Sequence, residues 1–427
     1  MGVKPPSNPA RRERLRSNGK GDSALRATDP KLHRMSSKRA YVCLILVLAV
    51  GFSLSAYFYT GPYYAWDDGL YIEFAKQMLH NAFYVGQSPY AFGFLVPAIE
   101  ALSFEAFGTG TFAAILPSTI EYTAMVVCAF LIGRRFLSET LGLLAALLVA
   151  TMPFVLQYVT RVMPDMLLGA LTGASIYALF SGIHGRAYDH GTVMVSGLVA
   201  GLGIFVKLGG AGLGVALLIA ILVLDRRAVP AFLAGFIISV GIYLVSFYMM
   251  TGGNIGYLGQ YGAHQMAANP STLQENLVTM AVMIEIPITI GQTYPTGFLF
   301  FLIVAATYAA ARERNRYLAY MAVSFWFIWF YLFFGTVSLS SYAPMTVVSR
   351  YLIIAAVPMA ILGAYVPVEL YVVLSSARRK SLGAVVMVAL IFAIFITYIP
   401  AYSAVYGYNV GIRDHPCIGW VSVLCRS

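Results

Sequence analysis

The chain has 427 residues, of which 59% are hydrophobic and 11% are charged, with a formal net charge of +10. Its mean hydropathy of +0.75 excludes an ordinary soluble domain. The chain also contains repeated apolar stretches of about 18–22 residues, which are long enough to cross a bilayer. The positive excess is local, because residues 1–40 carry eleven Lys and Arg.

The first 40 residues are also rich in Pro, Ser and Gly and lack apolar periodicity, a composition typical of disorder. A basic tail of this kind favours the cytoplasmic side of a membrane, and binding to anionic lipid is a secondary possibility. Nucleic-acid binding is not expected, because no folded basic module accompanies the charge. We expect a disordered cytoplasmic tail over 1–40, a transmembrane domain over 41–404 and a short extracytoplasmic tail over 405–427.

The apolar stretches that follow the tail predict an all-α polytopic protein with about eleven transmembrane helices. The stretch 90–108 is interrupted by Pro97, Glu100 and Glu105, so it reads as an interfacial or re-entrant segment instead. The predicted spans are 41–59, 112–133, 141–159, 163–182, 192–207, 209–224, 229–249, 295–311, 317–337, 351–374 and 382–404.

Charge placement predicts the orientation of these spans. With a cytoplasmic N-terminus, about 22 of the 28 Lys and Arg lie inside and about 6 outside, as the positive-inside rule requires. The outer face would then hold the first loop, the long loop 250–294 and the C-terminus, and a cell membrane is favoured. The six outward basic residues are Lys76, Arg161, Lys207, Arg350, Arg413 and Arg426.

The first outer loop contains an adjacent acidic pair, Asp67-Asp68. Carboxylates beside a bilayer are costly unless they have a function. A carboxylate can act as a general base toward a hydroxyl, and a close neighbour can tune its pKa. Asp68-Gly69 also reads as a helix start, so Asp68 alternatively serves only as an N-cap. Tyr71 and Ala75 then lie one turn apart on a helix that we expect at the membrane surface.

Further charged residues are predicted on the same outer face. Pro164 and Asp165 suit the first turn of a helix, and Asp165 alternatively faces Asp67 across a cavity, where it binds substrate or a divalent cation. Lys207, before a Gly-rich segment, and Arg350-Tyr351 offer cations for a phosphate. The alternative for Arg161, Lys207 and Arg350 is ion pairing with Asp165 or with Asp67 and Asp68, or contact with lipid phosphates.

The remaining motifs indicate little. Cys43 and Cys128 fall in apolar spans and suit packing, whereas Cys417 and Cys425 could pair in an oxidising exterior, a question that the sequence leaves open. No zinc spacing, Walker loop, GxGxxG after a strand or GxSxG elbow stands in a credible context. No cofactor is predicted with certainty. If a divalent metal is present, Asp67 and Asp165 are its candidate ligands.

Several of these segments, in their order, resemble the GT-C membrane glycosyltransferases, and most closely the dolichyl-phosphate-mannose–protein mannosyltransferase-like group that includes the lipid A aminoarabinose transferases. The acidic pair departs from the usual Asp-Glu, and we do not expect the large soluble C-terminal domain of some relatives. The resemblance rests on Asp67-Asp68 with Tyr71 and Ala75, Phe107-Gly108, Arg134-Arg135-Phe136, Leu141 to Ala146, Arg161-Val162-Met163-Pro164-Asp165, Gly201-Leu202-Gly203 to Lys207, and Arg350-Tyr351 followed by Pro358.

The resemblance implies a GT-C fold with interfacial helices in the first outer loop. It implies a hexosyl- or pentosyltransferase that moves a sugar from a polyprenyl (dolichyl) phosphate to an acceptor hydroxyl of a protein, lipid or glycan, with inversion, on the extracytoplasmic face. Asp67 would be the general base, with Asp68 and Asp165 also catalytic. Tyr71 and Tyr351 would bind substrate, and Lys207, Arg350 or Arg161 would bind the donor phosphate.

Two other classes of protein fit the composition. A lipid or solute transporter or flippase would also place charges beside a cavity, although transporters usually carry them at mid-membrane, and no internal repeat is visible here. A non-catalytic membrane scaffold would tolerate replacement of Asp67, Asp165 and Lys207.

Overall fold

A computed structural model describes residues 37–57, 67–184, 188–254, 256–258, 272–284, 297–336, 349–376 and 380–414. The prediction of an all-helical membrane protein is confirmed. The α-helices are α1 (Ser37–Tyr57), α2 (Asp67–Leu79), α3 (Leu95–Phe107), α4 (Thr111–Phe136), α5 (Glu139–Thr151), α6 (Pro153–Leu156), α7 (Pro164–Ile183), α8 (His190–Gly201), α9 (Gly203–Val206), α10 (Ala211–Leu224), α11 (Val229–Met250), α12 (Leu273–Ile284), α13 (Gly297–Glu313), α14 (Arg316–Phe334), α15 (Ala356–Ser376) and α16 (Lys380–Asp414).

Each of the eleven predicted spans falls on a helix, but the count of eleven crossings is not confirmed. Within the described residues, seven helices are long and apolar enough to cross a membrane by length and composition. They begin at Lys38, Thr111, Pro164, Arg226, Arg316, Arg350 and Ser381. Three further apolar helical segments, Glu139–Thr151, His190–Val206 and Leu208–Leu224, are shorter.

Local sequence interrupts several of the predicted spans. The span predicted over 141–159 ends as α5 at Thr151, because the residue before Pro153 is driven into an extended conformation, and α6 follows as a single turn. The span predicted over 192–207 is divided into α8 and α9 at Leu202. The span predicted from residue 351 begins instead with a 3₁₀ helix, Ser349–Ala355, and α16 continues to Asp414, beyond the predicted end at residue 404.

The core lies where α4, α5, α7 and α15 pack against one another. Large side chains are fully buried there, including Tyr122, Phe130 and Phe180. Many large apolar side chains of α11 and α16 are exposed instead, as expected for helices that face lipid. The short helices α2 and α3 pack against each other beside this core, and at 13 residues each they are too short to span a bilayer.

Several sequence predictions lie outside the described residues. These include most of the basic tail, the greater part of the loop 250–294, and the two candidate disulfide partners Cys417 and Cys425.

Candidate functional site

A pocket lies where five chain segments meet, at the starts of α2, α7 and the 3₁₀ helix Ser349–Ala355, beside the 3₁₀ turns Pro89–Phe92 and Leu208–Gly210. It encloses about 450 Å³ of space between atoms, part of it open to solvent. Its lining residues are Asp67, Tyr71, Tyr90, Phe92, Gly93, Pro164, Asp165, Lys207, Leu208, Arg350 and Tyr351.

Two carboxylates and two cations form a continuous chain of ion pairs in this pocket. Arg350 stands between the acids, with Nη2 at 2.6 Å from Oδ2 of Asp67 and Nε at 3.6 Å from Oδ2 of Asp165. Lys207 Nζ donates to the other oxygen of Asp165. The side chain of Asp165 is 1% exposed, whereas that of Asp67 is 12% exposed. Asp67 is therefore the carboxylate that an incoming molecule reaches more easily.

The backbone around Lys207 explains how this lysine enters the pocket. Helix α9 ends at Val206, and Lys207 is extended, with φ −163° and ψ 152°. The chain then turns back so closely that a Cβ at Gly210 would collide with the carbonyl oxygen of Gly203. A Cβ at Gly93 would likewise collide with the carbonyl oxygen of Val206. Glycine is needed at these positions because backbone packs directly on backbone.

Asp68 and Arg161 form a separate, deeply buried pair. Arg161 Nε donates to Oδ2 of Asp68 at 2.9 Å, and neither side chain is more than 4% exposed. Ser118 donates to the backbone carbonyl of Arg161 at 2.5 Å, and the guanidinium lies 5.0 Å from the ring centroid of Tyr158. Burial raises the pKa of Asp68 to about 7, although Arg161 acts in the opposite direction.

Six of the eight residues that the sequence predicted for the site line the pocket: Asp67, Tyr71, Asp165, Lys207, Arg350 and Tyr351. Asp68 and Arg161 are not among its lining residues, and they pair with each other, as the structural alternative for Arg161 anticipated. That alternative also anticipated the ion pairs of Lys207 and Arg350 with acids. Asp68 starts α2 together with Asp67.

One wall of the pocket was missed by the sequence analysis. Tyr90, Phe92 and Gly93 come from the segment between α2 and α3. Burial, and then the charge of Asp67, raise the pKa of Tyr90. The aromatic pattern Pro89-Tyr90-Ala91-Phe92 could have pointed to this wall only weakly, because aromatic residues make up 14% of the whole chain.

The side chains of the pocket offer a divalent metal only two carboxylates. Within the described ranges, no group of three or more His, Cys, Asp or Glu side chains could hold a metal ion. A divalent ion between Asp67 and Asp165 would also have to displace Arg350, which contacts both acids. The donor set therefore fits a metal less well than it fits an anion that Lys207 and Arg350 could share.

A second polar cluster lies at the other end of α7. Arg135 donates to Tyr177 at 2.9 Å, and Arg316 donates to the carbonyl oxygen of Ile183 at 2.7 Å. Asp165 is in the first turn of α7 and Ile183 is its last residue. A helix of 20 residues is about 30 Å long, so the pocket and this basic cluster are separated by about the thickness of a bilayer core.

Comparison with known proteins supports a common architecture. Residues 91–250 match the family model described as dolichyl-phosphate-mannose-protein mannosyltransferase. This segment contains Asp165 and Lys207 but neither Asp67 nor Arg350. A sequence comparison with curated proteins gave no significant match.

Solved structures extend the likeness over most of the chain. ArnT from Cupriavidus metallidurans in the apo state superimposes with a TM-score of 0.61 and 17% identity, over 88% of this chain and 78% of ArnT. The same protein bound to undecaprenyl phosphate gives a TM-score of 0.62 with 14% identity, covering 87% of this chain and 78% of that one.

An oligosaccharyltransferase from Archaeoglobus fulgidus, tethered to an acceptor peptide, gives a TM-score of 0.60 with 14% identity, over 87% of this chain and 55% of its own. At these identities the likeness establishes the fold, and it confirms the resemblance inferred from the motifs. The chain is a polytopic membrane protein with the GT-C glycosyltransferase fold, and its residues 91–250 match the dolichyl-phosphate-mannose-protein mannosyltransferase family.

Proposed function

We propose that this chain is a membrane glycosyltransferase that moves a hexose or pentose from a polyprenyl phosphate to an acceptor hydroxyl on the extracytoplasmic face, with inversion. The observation that carries the proposal is the pocket in which Asp67 and Asp165 meet Lys207 and Arg350. Carboxylates for proton transfer and cations for a phosphate are the two kinds of group that this reaction needs.

Asp67 is the general base in this proposal. It is the more exposed of the two pocket carboxylates, and it is held by one hydrogen-bonding cation, Arg350. Asp165 contacts both cations and is almost fully buried. It therefore suits the orientation of Lys207 and Arg350 better than removal of a proton from the acceptor. Tyr71 and Tyr351 line the same pocket and would contact the sugar or the acceptor.

The transfer conserves atoms and charge without a cofactor. The acceptor hydroxyl gives its proton to Asp67, and its oxygen attacks the anomeric carbon from the side opposite the phosphate. The bond between the anomeric carbon and the phosphate oxygen breaks, and its electron pair stays on the phosphate. Lys207 and Arg350 stabilise the charge that develops there. The products are an inverted glycoside and a polyprenyl phosphate, and Asp67 later releases its proton.

Asp68 and Arg161, both predicted from the sequence to act in the site, take supporting roles in the proposal. Arg161 is buried against Asp68 and not within the pocket lining, so we assign the donor phosphate to Lys207 and Arg350. The pair ties the first turn of α2 to the segment before α7, and Asp67 and Asp165 lie in the first turns of those two helices. It therefore helps to set the distance between the two pocket acids.

Two observations support the choice of a polyprenyl-phosphate donor and of the extracytoplasmic side of the membrane. ArnT, whose fold this chain shares, has been solved with undecaprenyl phosphate. The pocket lies at the end of α7 away from the Arg135 and Arg316 cluster, and basic clusters favour the cytoplasmic side. This placement supports an extracytoplasmic pocket and a cytoplasmic N-terminus, and a cell membrane is part of the same proposal.

The decisive experiment measures release of polyprenyl phosphate by the purified protein in nanodiscs, with a panel of polyprenyl-phosphate sugars and candidate protein, lipid and glycan acceptors. Asp67→Asn should lower turnover by about 10²–10⁴-fold, because a general base contributes that much, while donor binding persists. Glu73→Gln is the matched control, since it removes the same charge from an exposed position of the same helix.

Near-parental turnover by Asp67→Asn would overturn the role of Asp67. Movement of substrate across the bilayer without cleavage of any donor would support a lipid or solute transporter instead. Dialysis against EDTA distinguishes the two possible sources of positive charge. Transfer that depends on Lys207 and Arg350 should continue after dialysis, whereas transfer that depends on a metal held by Asp67 and Asp165 should stop.

A further inference from the structure

Tyr351 is in contact with both cations of the pocket. It follows Arg350 in the 3₁₀ helix Ser349–Ala355 and lines the pocket. Lys207 Nζ lies 4.4 Å from the centroid of its ring, and Arg350 Cζ lies 5.6 Å from the same centroid. Both distances fall within the range of about 6 Å over which an aromatic ring attracts a cation.

The two cations come from distant parts of the sequence and are carried on long side chains. Lysine and arginine lose considerable rotamer freedom when they are held in one position. The carboxylates Asp67 and Asp165 restrain them, but a carboxylate competes with a phosphate for the same N–H donors. An aromatic face attracts the positive charge without occupying any N–H donor, so it can hold a cation that is also bound to a phosphate.

We propose that Tyr351 is a positioning residue whose ring holds Lys207 and Arg350 in place for an anionic phosphate while these cations exchange their carboxylate partners. This inference rests on the proposed function and deepens it. It assigns the ring of Tyr351, rather than its hydroxyl, to the phosphate site. The ligand is a phosphate monoester or diester. The ring affects binding of this phosphate only by holding Lys207 and Arg350 in place.

The test is the affinity of the full chain in nanodiscs for undecaprenyl phosphate. Tyr351→Leu should bind about tenfold more weakly, which corresponds to about 1.4 kcal/mol and agrees with the loss of contacts between a ring and two cations. Tyr351→Phe keeps the ring and should stay within about twofold of the parent. The thermal unfolding midpoint of Tyr351→Leu should equal that of the parent. If Tyr351 served only in packing, Tyr351→Leu would instead lower this midpoint.

A fluorinated series gives a second and sharper readout. Phenylalanines that carry one, two or three ring fluorines at position 351 keep nearly the same shape while the negative charge of the ring face declines. Affinity for undecaprenyl phosphate should fall stepwise along the series, because the attraction depends on that charge. A flat series, or equal losses in Tyr351→Phe and Tyr351→Leu, would overturn the inference.

Lys207→Gln and Arg350→Gln distinguish this failure from failure of the proposed function. If both variants bind undecaprenyl phosphate as tightly as the parent, the phosphate site itself is wrong and the inference about Tyr351 is overturned with it. If both bind weakly while Tyr351→Leu binds normally, the phosphate site stands and only the role of the ring is overturned. Lys76→Gln, on the last turn of α2 and outside the pocket, controls for the loss of one positive charge.

Discussion

Asp68 shows how two neighbouring carboxylates acquire different environments. Asp67 lines the pocket and meets Arg350, whereas Asp68 is fully buried against Arg161. The scarcity of charge in the sequence was enough to single out both residues, and also Asp165, Lys207 and Arg350. The sequence offered ion pairing of Arg161 with one of these acids as an alternative, but it could not select Asp68, because a pairing across 93 positions depends on how α2 packs.

This burial predicts a pH dependence of stability. Burial raises the pKa of Asp68 from its ordinary value of 3.8 to about 7. Between these values the folded chain holds a proton that the unfolded chain has lost, so this contribution is fully present below pH 4 and declines as the pH rises to about 7. The thermal unfolding midpoint of the parent should therefore fall more steeply over this window than that of Asp68→Asn.

Glu73→Gln provides the control, because this exposed side chain should leave the slope of the parent unchanged. Parallel slopes for the parent and Asp68→Asn would show that Asp68 does not take up a proton on folding.

Single pocket residues without charge were harder to anticipate. Tyr90 and Phe92 are two of 56 Phe and Tyr residues in the chain, 27 Phe and 29 Tyr, so residue type alone does not distinguish them. Leu208 and Gly93 carry no chemical signal either, and only the packing of the segment before α3 against the end of α9 brings them to the site.

Among the elements, the interrupted helices matter most for the site. The sequence predicted that Lys207 ends a span over 192–207 and stands before a Gly-rich segment. The structure shows close approach of backbone to backbone between Gly203 and Gly210, which turns the chain on both sides of Lys207. Hydrophobicity alone could not reveal this turn, because the segments on both sides of Lys207, His190–Val206 and Leu208–Leu224, are apolar.

A pair of adjacent glycines tests this turn. Gly210→Ala places a methyl group against the carbonyl oxygen of Gly203 and should cost about 1–3 kcal/mol of stability through overpacking. Because the backbone next to Lys207 would shift, the KM for the donor should also rise. The measurements are thermal unfolding in detergent and donor-dependent turnover.

Gly209→Ala is the matched control. The nearest atom to its new Cβ would be the hydroxyl oxygen of Tyr331 at 4.0 Å, an ordinary contact. If both alanine variants behave alike, the close backbone approach at Gly210 does not position Lys207.

For the whole molecule, the apolar stretches predicted most of the helices. Stretches of spanning length gave the order of the helices, and the fold agrees with the resemblance drawn from short motifs. The number of crossings is not confirmed, because four of the predicted spans fall on described helices that are shorter than a full span, namely α5, α8, α10 and α13. The orientation remains a prediction that labelling can test.

Two exposed positions allow this test in a chain whose four cysteines are replaced by serine. Asn254→Cys, after α11, should react with a membrane-impermeant maleimide in intact cells. Arg226→Cys, before α11, should react only after permeabilisation, because the two positions are separated by a 22-residue helix. The opposite pattern would place the pocket in the cytoplasm and exclude the proposed donor geometry.

The ion-pair chain through Arg350 also bears on turnover. The formal charges of Asp67, Asp165, Lys207 and Arg350 sum to zero, so the two carboxylates balance the charge of the two cations. Tethered carboxylates act as intramolecular competitors with a high effective concentration. In the proposed reaction, they would compete with the phosphate product for the same cations and so speed its release. The same competition would lower the affinity of the pocket for anions and raise the rate at which the product is released.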